Sequence, residues 1–458
     1  MTTTYTRAAL SVAAVLAGSI ATAEPFKSVG QFDGRIGASG PDRGPIFAGS
    51  SAEISGQGFA PGQPVTLRQS GEDLNGGSPF SADAEGNLSA TVEIPDDAEP
   101  GLYPVVVELG GESPFATTFD LKVARELGDI GADLFEIRSV PVVRNPYQVA
   151  VTADAIYVTG AVGRPPVKES TLVKLDRETL EVLAEATPPE APSREDGSRG
   201  GLFAVYGIGV AEDAGQVWVT NTRQDTVAVY DSADLSLIKQ FEPGVVGNSR
   251  DAVAHGGKVY VSATFEPRVH VFDTGTLEEI KVIDLESVRH GQTFTAASLS
   301  VAPEADKLFV SSFRSEEVAV VDLTTDTQIG GFAVDHSVDT IGLAATPDGK
   351  RVYTVAQGND AVSIIDTMTG ETLKQVNVGA NPLNAAVEPV SGNVFIALRE
   401  GDSVAVISSE GEILANLDVG STPNHLVADG SGGIYVVNKS GGEGDPTADR
   451  LSHITQAD

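Results

Sequence analysis

Val217-Trp218-Val219-Thr220-Asn221, then a short polar turn, then Val227-Ala228-Val229-Tyr230-Asp231: the two runs read as a β-hairpin. β-Branched and aromatic residues fill both, and turn residues bound them. The hydrophobic–aromatic–hydrophobic centre of the first run recurs. It is found at Ile156-Tyr157-Val158, Val259-Tyr260-Val261, Leu308-Phe309-Val310, Val352-Tyr353-Thr354, Val394-Phe395-Ile396 and Ile434-Tyr435-Val436. Successive aromatic residues lie 61, 42, 49, 44, 42 and 40 positions apart. Periods of this size, built from short strands and Gly/Asp turns, belong to propeller blades.

Each repeat carries two further strands. A small-residue strand precedes the hairpin, as in Ile341-Gly342-Leu343-Ala344-Ala345, and a more polar one follows it, as in Leu373-Lys374-Gln375-Val376-Asn377-Val378. The second hairpin strand ends in aspartate at Asp176, Asp231, Asp273, Asp322 and Asp366. The last repeat supplies strands A (Asn424 to Ala428), B (Ile434 to Val437) and C (Leu451 to Gln456) and then stops. Its missing strand D is expected from Leu134 to Val143, which would close the ring and remove two open sheet edges. The sequence thus predicts an all-β protein with a seven-bladed β-propeller over residues 134–458.

Ahead of it, residues 44–124 alternate over several short stretches such as Pro64-Val65-Thr66-Leu67 and Leu88-Ser89-Ala90-Thr91-Val92, parted by Pro/Gly/Asp turns. That pattern predicts a small β-sandwich, and Gly56-Gln57-Gly58-Phe59-Ala60-Pro61-Gly62 resembles the opening of immunoglobulin-like domains. Residues 24–43 read as a flexible leader. Residues 1–23 read as a signal peptide: Arg7, an apolar run from Ala8 to Ile20, and Ala21-Thr22-Ala23 before Glu24. Export to the periplasm or medium follows, with no membrane span expected.

Composition excludes several classes. The chain has no cysteine, so disulfides, thiolate metal sites, a lipoprotein anchor and haem attachment through C-x-x-C-H are ruled out. Asp and Glu number 64 against 30 Lys and Arg, a balance that argues against nucleic acid as a partner. Neither G-x-S-x-G, H-E-x-x-H nor a glycine-rich phosphate loop occurs in a suitable context, which favours binding over catalysis and leaves an enzyme open.

The repeats resemble the YVTN-type propeller family through Trp218-Val219-Thr220-Asn221 with Val227 to Asp231, and through Tyr435-Val436-Val437-Asn438. Within that family the chain is similar to YncE-like periplasmic propellers. The likeness rests on Leu172-Val173-Lys174-Leu175-Asp176 followed by Thr179-Leu180-Glu181-Val182, and on Thr422-Pro423-Asn424-His425-Leu426. It covers the chain from about Leu134 onward and implies the fold more than any activity. A link of such proteins to DNA sits poorly with the acidity here.

Propellers bind at the mouth of the central channel, where the D-to-A and B-to-C connections meet. Arginines concentrate in those connections, whereas Lys168 and Lys439 are the lysines placed there. Guanidinium forks suit carboxylates and phosphates, so Arg223, Arg250, Arg289, Arg314 and Arg399 are candidate ligand-binding residues. Asn145, Tyr147, Tyr206, Asp339 and Asn384 are further candidates, as residues entering strand A. The expected partner is an anionic small molecule or an acidic protein segment. His290, His336 and His425 also fall in D-to-A connections, making zinc or copper the candidate metals of an alternative metal-binding reading. A metal-dependent lactonase or lyase is a further alternative. Oligomeric state is left open.

Overall fold

The structure, a computed structural model, describes residues 31–111, 114–164, 166–193, 197–442 and 444–457. The segment read as a signal peptide lies outside the described residues. The fold is all-β, as expected. Two compact units are present, the larger of which holds all the blades.

Seven sheets of four antiparallel strands follow one another. Blade 2 shows the pattern: strand A is Ile208–Ala211, B Gln216–Asn221, C Thr226–Asp231 and D Leu237–Gln240. The quoted hairpin is thus strands B and C, with Trp218 opposite Val229. The last sheet joins Pro423–Ala428, Ile434–Asn438 and Arg450–Gln456 to Phe135–Pro141. Phe135–Pro141 pairs with Arg450–Gln456 along its whole length, so the expected ring closure is present. Residues from all seven A strands line one central channel, and each A strand contacts the next around the circle, the first meeting the last.

The recurring aromatic residue explains how blades stack. Trp218, Tyr260, Phe309, Tyr353 and Tyr435 are completely buried between neighbouring sheets, each contributing about 2–3 kcal/mol of hydrophobic burial. Four of the tyrosines also reach the next blade. Tyr157 Oη donates to Ser232 O (2.9 Å), Tyr260 Oη to Asp326 Oδ1 (2.6 Å), Tyr353 Oη to Ser409 O (3.3 Å) and Tyr435 Oη to Arg177 O (3.3 Å). The amphipathic ring fills the gap while its tip ties down the neighbour's C-to-D turn.

The aspartates ending strand C organise those turns. Asp273 Oδ1 accepts from Gly275 N (3.0 Å) and Thr276 N (2.7 Å), and Asp322 Oδ1 from Thr324 N and Thr325 N (both 2.9 Å). These are Asx-type turns that fix the reversal into strand D.

In the smaller unit and its flanks, two sheets occur. One joins Arg35–Ser39, Ser51–Gln57 and Asn87–Glu93; the other is five-stranded and centred on Pro64–Gln69 and Gly101–Leu109. Inward residues alternate, with Val65, Leu67, Val105 and Val107 buried. The stretch expected as a flexible leader therefore contains a paired strand, Arg35–Ser39. Its sequence, RIGAS, lacks the alternation that would mark it, and sheet pairing alone orders it.

Candidate functional site

Two local devices build the channel mouth. The first is a bulge at the start of strand A. Register shifts fall between Pro146 and Val149, Ser249 and Ala252, Ala296 and Leu299, Thr340 and Gly342, Pro382 and Asn384, and Pro423 and His425. A bulge re-aims the side chains it contains. Here it presents Gln148, Arg250, Asp251, Asn384 and His425 to the channel mouth. The second device is position: residues just after strand B reach over the rim, namely Arg223, Phe265, Arg399 and Lys439.

Together they enclose a cavity of about 470 Å³, within the range of small-molecule sites. Of the predicted ligand residues, Tyr147, Tyr206, Arg223, Arg250, Asn384 and Arg399 line it. Tyr147 and Tyr206 pack edge to face with centroids 4.3 Å apart, and Arg223 Nε donates to Tyr206 Oη (3.3 Å). Lys439 Nζ sits 3.3 Å from the centre of the Tyr147 ring, a cation–π contact.

Positive charge dominates the wall. Arg223, Arg250, Arg399 and Lys439 meet one carboxylate, Asp251, which is already occupied. It accepts from Gln148 Nε2 (2.7 Å) and Leu299 N (3.2 Å), and lies 3.8 Å from Arg250 Nε. The Nε atoms of Arg250 and Arg399 are buried with no hydrogen-bond partner, an arrangement that costs free energy unless something accepts from them. Lys439 and His425 are both half-buried in the cavity wall. Burial, reinforced by Arg399 and Arg250, pushes the Lys439 amine down to about 7. Burial likewise pushes the His425 imidazole down to about 4, with Asp251 opposing and Arg250 adding to the effect.

Other predicted residues are used differently. Asn384 Oδ1 accepts from Leu426 N (3.0 Å), linking strands A of blades 6 and 7. Asn145 and Asp339 belong to a clasp repeated around the ring. An acid immediately before strand C accepts a backbone N–H from the D-to-A connection leading to the next blade. The pairs are Asp225 with Asn248 (2.7 Å), Glu316 with Asp339 (2.8 Å), Asp360 with Asn381 (2.9 Å), Asp402 with Thr422 (2.8 Å) and Asp449 with Asn145 (2.7 Å). Every residue of these pairs has positive φ, so the clasp holds conformations that non-glycine residues seldom adopt. Sequence reading missed it, although an acid directly ahead of strand C in five repeats was the available signal.

Arg289 and Arg314 line a separate rim cavity with Glu316, Asp335 and His336. Arg289 is spent on Glu316 O, Val334 O and Asp335 Oδ1, and Arg314 stacks 5.4 Å from the Phe265 ring centre. The three candidate metal histidines are dispersed: His425 faces the channel, His336 the rim cavity, and His290 is exposed. His290 and His336 lie in the D-to-A connections entering blades 4 and 5, whereas His425 is within strand A of blade 7 rather than in a connection. Among the described residues no group of three or more His, Asp or Glu is placed to hold a metal.

No protein-family model matches the chain. A curated relative, the seven-bladed beta-propeller protein Rv1057 of Mycobacterium tuberculosis, is 30% identical over 121 residues, which cover 24% of this chain and 30% of that protein. The match therefore spans less than a third of the relative. Virginiamycin B lyase from Staphylococcus aureus superposes with a TM-score of 0.55 at 12% identity, over 70% of this chain and 100% of its own. U3-55K does so at 0.56 and 12%, over 72% and 100%. Hydrazine synthase of Kuenenia stuttgartiensis gives 0.52 and 16%, over 65% and 94%. At such identities the likeness is one of fold: this chain is an all-β protein built on a seven-bladed propeller, similar in architecture to proteins as different as a virginiamycin B lyase and a hydrazine synthase.

Proposed function

We propose that the protein is an exported, non-catalytic binding protein that holds an anionic ligand at the mouth of its propeller channel. The observation that carries this reading is the convergence of Arg223, Arg250, Arg399 and Lys439 on one cavity whose single carboxylate, Asp251, is already hydrogen-bonded to Gln148 and Leu299. A bound carboxylate or phosphate would pair with these guanidiniums and relieve the mutual repulsion of the cations. The overall acidity of the chain makes the patch a local exception, attracting anions by short-range contact rather than by long-range steering. Tyr147, Tyr206 and Phe265 supply apolar walls for the body of the ligand.

In the same reading, residues 1–23 direct export to the periplasm or medium, 44–124 form an immunoglobulin-like module, and 134–458 form a propeller of the YVTN, YncE-like kind. Arg289, Arg314, Asn145 and Asp339 shape the rim and its connections, and Arg223, Arg250 and Arg399 do the binding. The test is calorimetric titration of the full chain with small carboxylates and with inorganic phosphate. Binding that weakens at least about tenfold in each of Arg250→Gln and Arg399→Gln supports it, a loss on the scale of one charged hydrogen bond. Unchanged affinity in both variants would remove it.

A further inference from the structure

We propose that Lys439 is an imine-forming amine, and that the anion held beside it carries an aldehyde or ketone next to its carboxylate, as 2-oxo acids do. This rests on the anion-binding reading above and narrows it to a chemical class. Lys439 follows strand B of the last blade directly and forms part of the cavity wall. Its amine lies against the face of Tyr147, and among the described residues no carboxylate pairs with it. Several other lysines have acceptors: Lys258 Nζ meets Asp326 Oδ2 at 2.6 Å, Lys350 Nζ meets Asp348 Oδ2 at 2.7 Å, and Lys281 Nζ donates to Thr325 O at 2.9 Å. A half-buried lysine kept from carboxylates and set beside other cations is an arrangement that frees an amine lone pair near neutral pH.

The neighbours suit the substrate class. Arg399 and Arg250 share the cavity with Lys439, so a carboxylate bonded to their guanidiniums would bring an adjacent carbonyl toward the amine. The depressed amine, at about 7 without a ligand, keeps a minor neutral fraction near neutral pH even after a bound carboxylate raises it, and that fraction is the one that reacts. In the step itself, the Nζ lone pair forms a bond to the carbonyl carbon as the carbon–oxygen π bond breaks. The carbinolamine oxygen then leaves as water, taking the two protons the amine brought. One water is released per imine, and no oxidant or reductant is needed.

The experiment treats the full chain with glyoxylate and sodium cyanoborohydride near neutral pH and maps the reduced adducts by peptide mass spectrometry. Glycolate, which lacks the carbonyl, is titrated in parallel by calorimetry. The expected result is labelling of Lys439 at least about tenfold above exposed Lys168, as an activated amine should show, with glycolate competing it away. K439R, which keeps the charge, should bind glycolate and lose the adduct at this position. Glycolate binding without preferential labelling of Lys439 overturns the imine and leaves the anion site standing. Absence of both glycolate binding and preferential labelling overturns both, and labelling that glycolate cannot suppress overturns the carboxylate-held geometry.

Discussion

Binding of an anion without a carbonyl at the channel mouth should draw in a proton. Around Lys439 stand Arg250, Arg399, Arg223, Tyr147, Tyr206, Asp251 and His425, and the amine titrates near 7 in the empty site because of burial and the two guanidiniums. An anion about 4 Å away would contribute about 4 kcal/mol at an effective dielectric of about 20. Channel water and the competing guanidiniums reduce this, so a rise of about one to two pH units in the amine's titration is expected. The sign follows from the raised value on binding. Below about pH 7 the amine is already charged and affinity is at its plateau. Above it, binding requires proton uptake, and affinity falls by about tenfold per pH unit until the liganded amine itself titrates. His425, at about 4, stays neutral throughout this window. Calorimetry with glycolate in buffers of different ionisation enthalpy should show uptake of about 0.4–0.8 proton per site near pH 8. K439M should bind more weakly below pH 7 and show a flat profile. An affinity constant from pH 6 to 9 in the unmodified protein, with no proton uptake, would refute the electrostatic account.

Tyr260→Phe should cost about 1–3 kcal/mol, because Asp326 Oδ1 loses a buried donor; a thermal midpoint within one degree of the parent would contradict it. Asp225→Ala removes the acceptor for Asn248 N and should destabilise by about 1 kcal/mol, read as a lower midpoint in urea at unchanged slope. The turn carboxyls of Asp176, Asp273 and Asp366 are held below the usual range chiefly by backbone N–H donors, and that of Asp322 by the Thr324 hydroxyl and then the Thr325 N–H. Their stabilisation is complete above about pH 4 and is lost as pH falls through the lower folded values; replacing all four with Asn should flatten the dependence of melting on pH between 5 and 2. Deleting residues 134–141 exposes the edge of Arg450–Gln456 and should turn one cooperative transition into a broad one, with self-association detectable by light scattering.

The architecture was legible because its repeat unit is energetic as well as formal. The aromatic residue that spaces the sequence is the one buried between blades, and the Asp that ends strand C caps a turn, so both leave fixed marks. The site was less legible. Arg223, Arg250, Arg399, Tyr147 and Tyr206 were placed at the mouth by their connections, and they do converge. Asn145 and Asp339 share that address, yet their backbone N–H groups are held by Asp449 and Glu316, and side-chain direction in a loop depends on bulges that leave no composition signal. Lys439 was noted as a lysine of that face, but its meaning comes only from the guanidiniums and the tyrosine ring around it. The strand Arg35–Ser39 was unreadable because three consecutive small residues, Gly37, Ala38 and Ser39, break any alternation.

The joint between Phe135–Pro141 and Arg450–Gln456 has a consequence for how the molecule is made. Ser139 and Ser452, whose hydroxyls meet across it, are 313 residues apart in sequence. A pairing of such high sequence separation is slow to form, so the first-made strand must remain unmatched while six sheets assemble behind it. Until the final hairpin arrives, the nascent protein is an open arc with two sticky rims, and anything that delays completion, or holds the early strand elsewhere, would trade a closed disc for chains that join end to end.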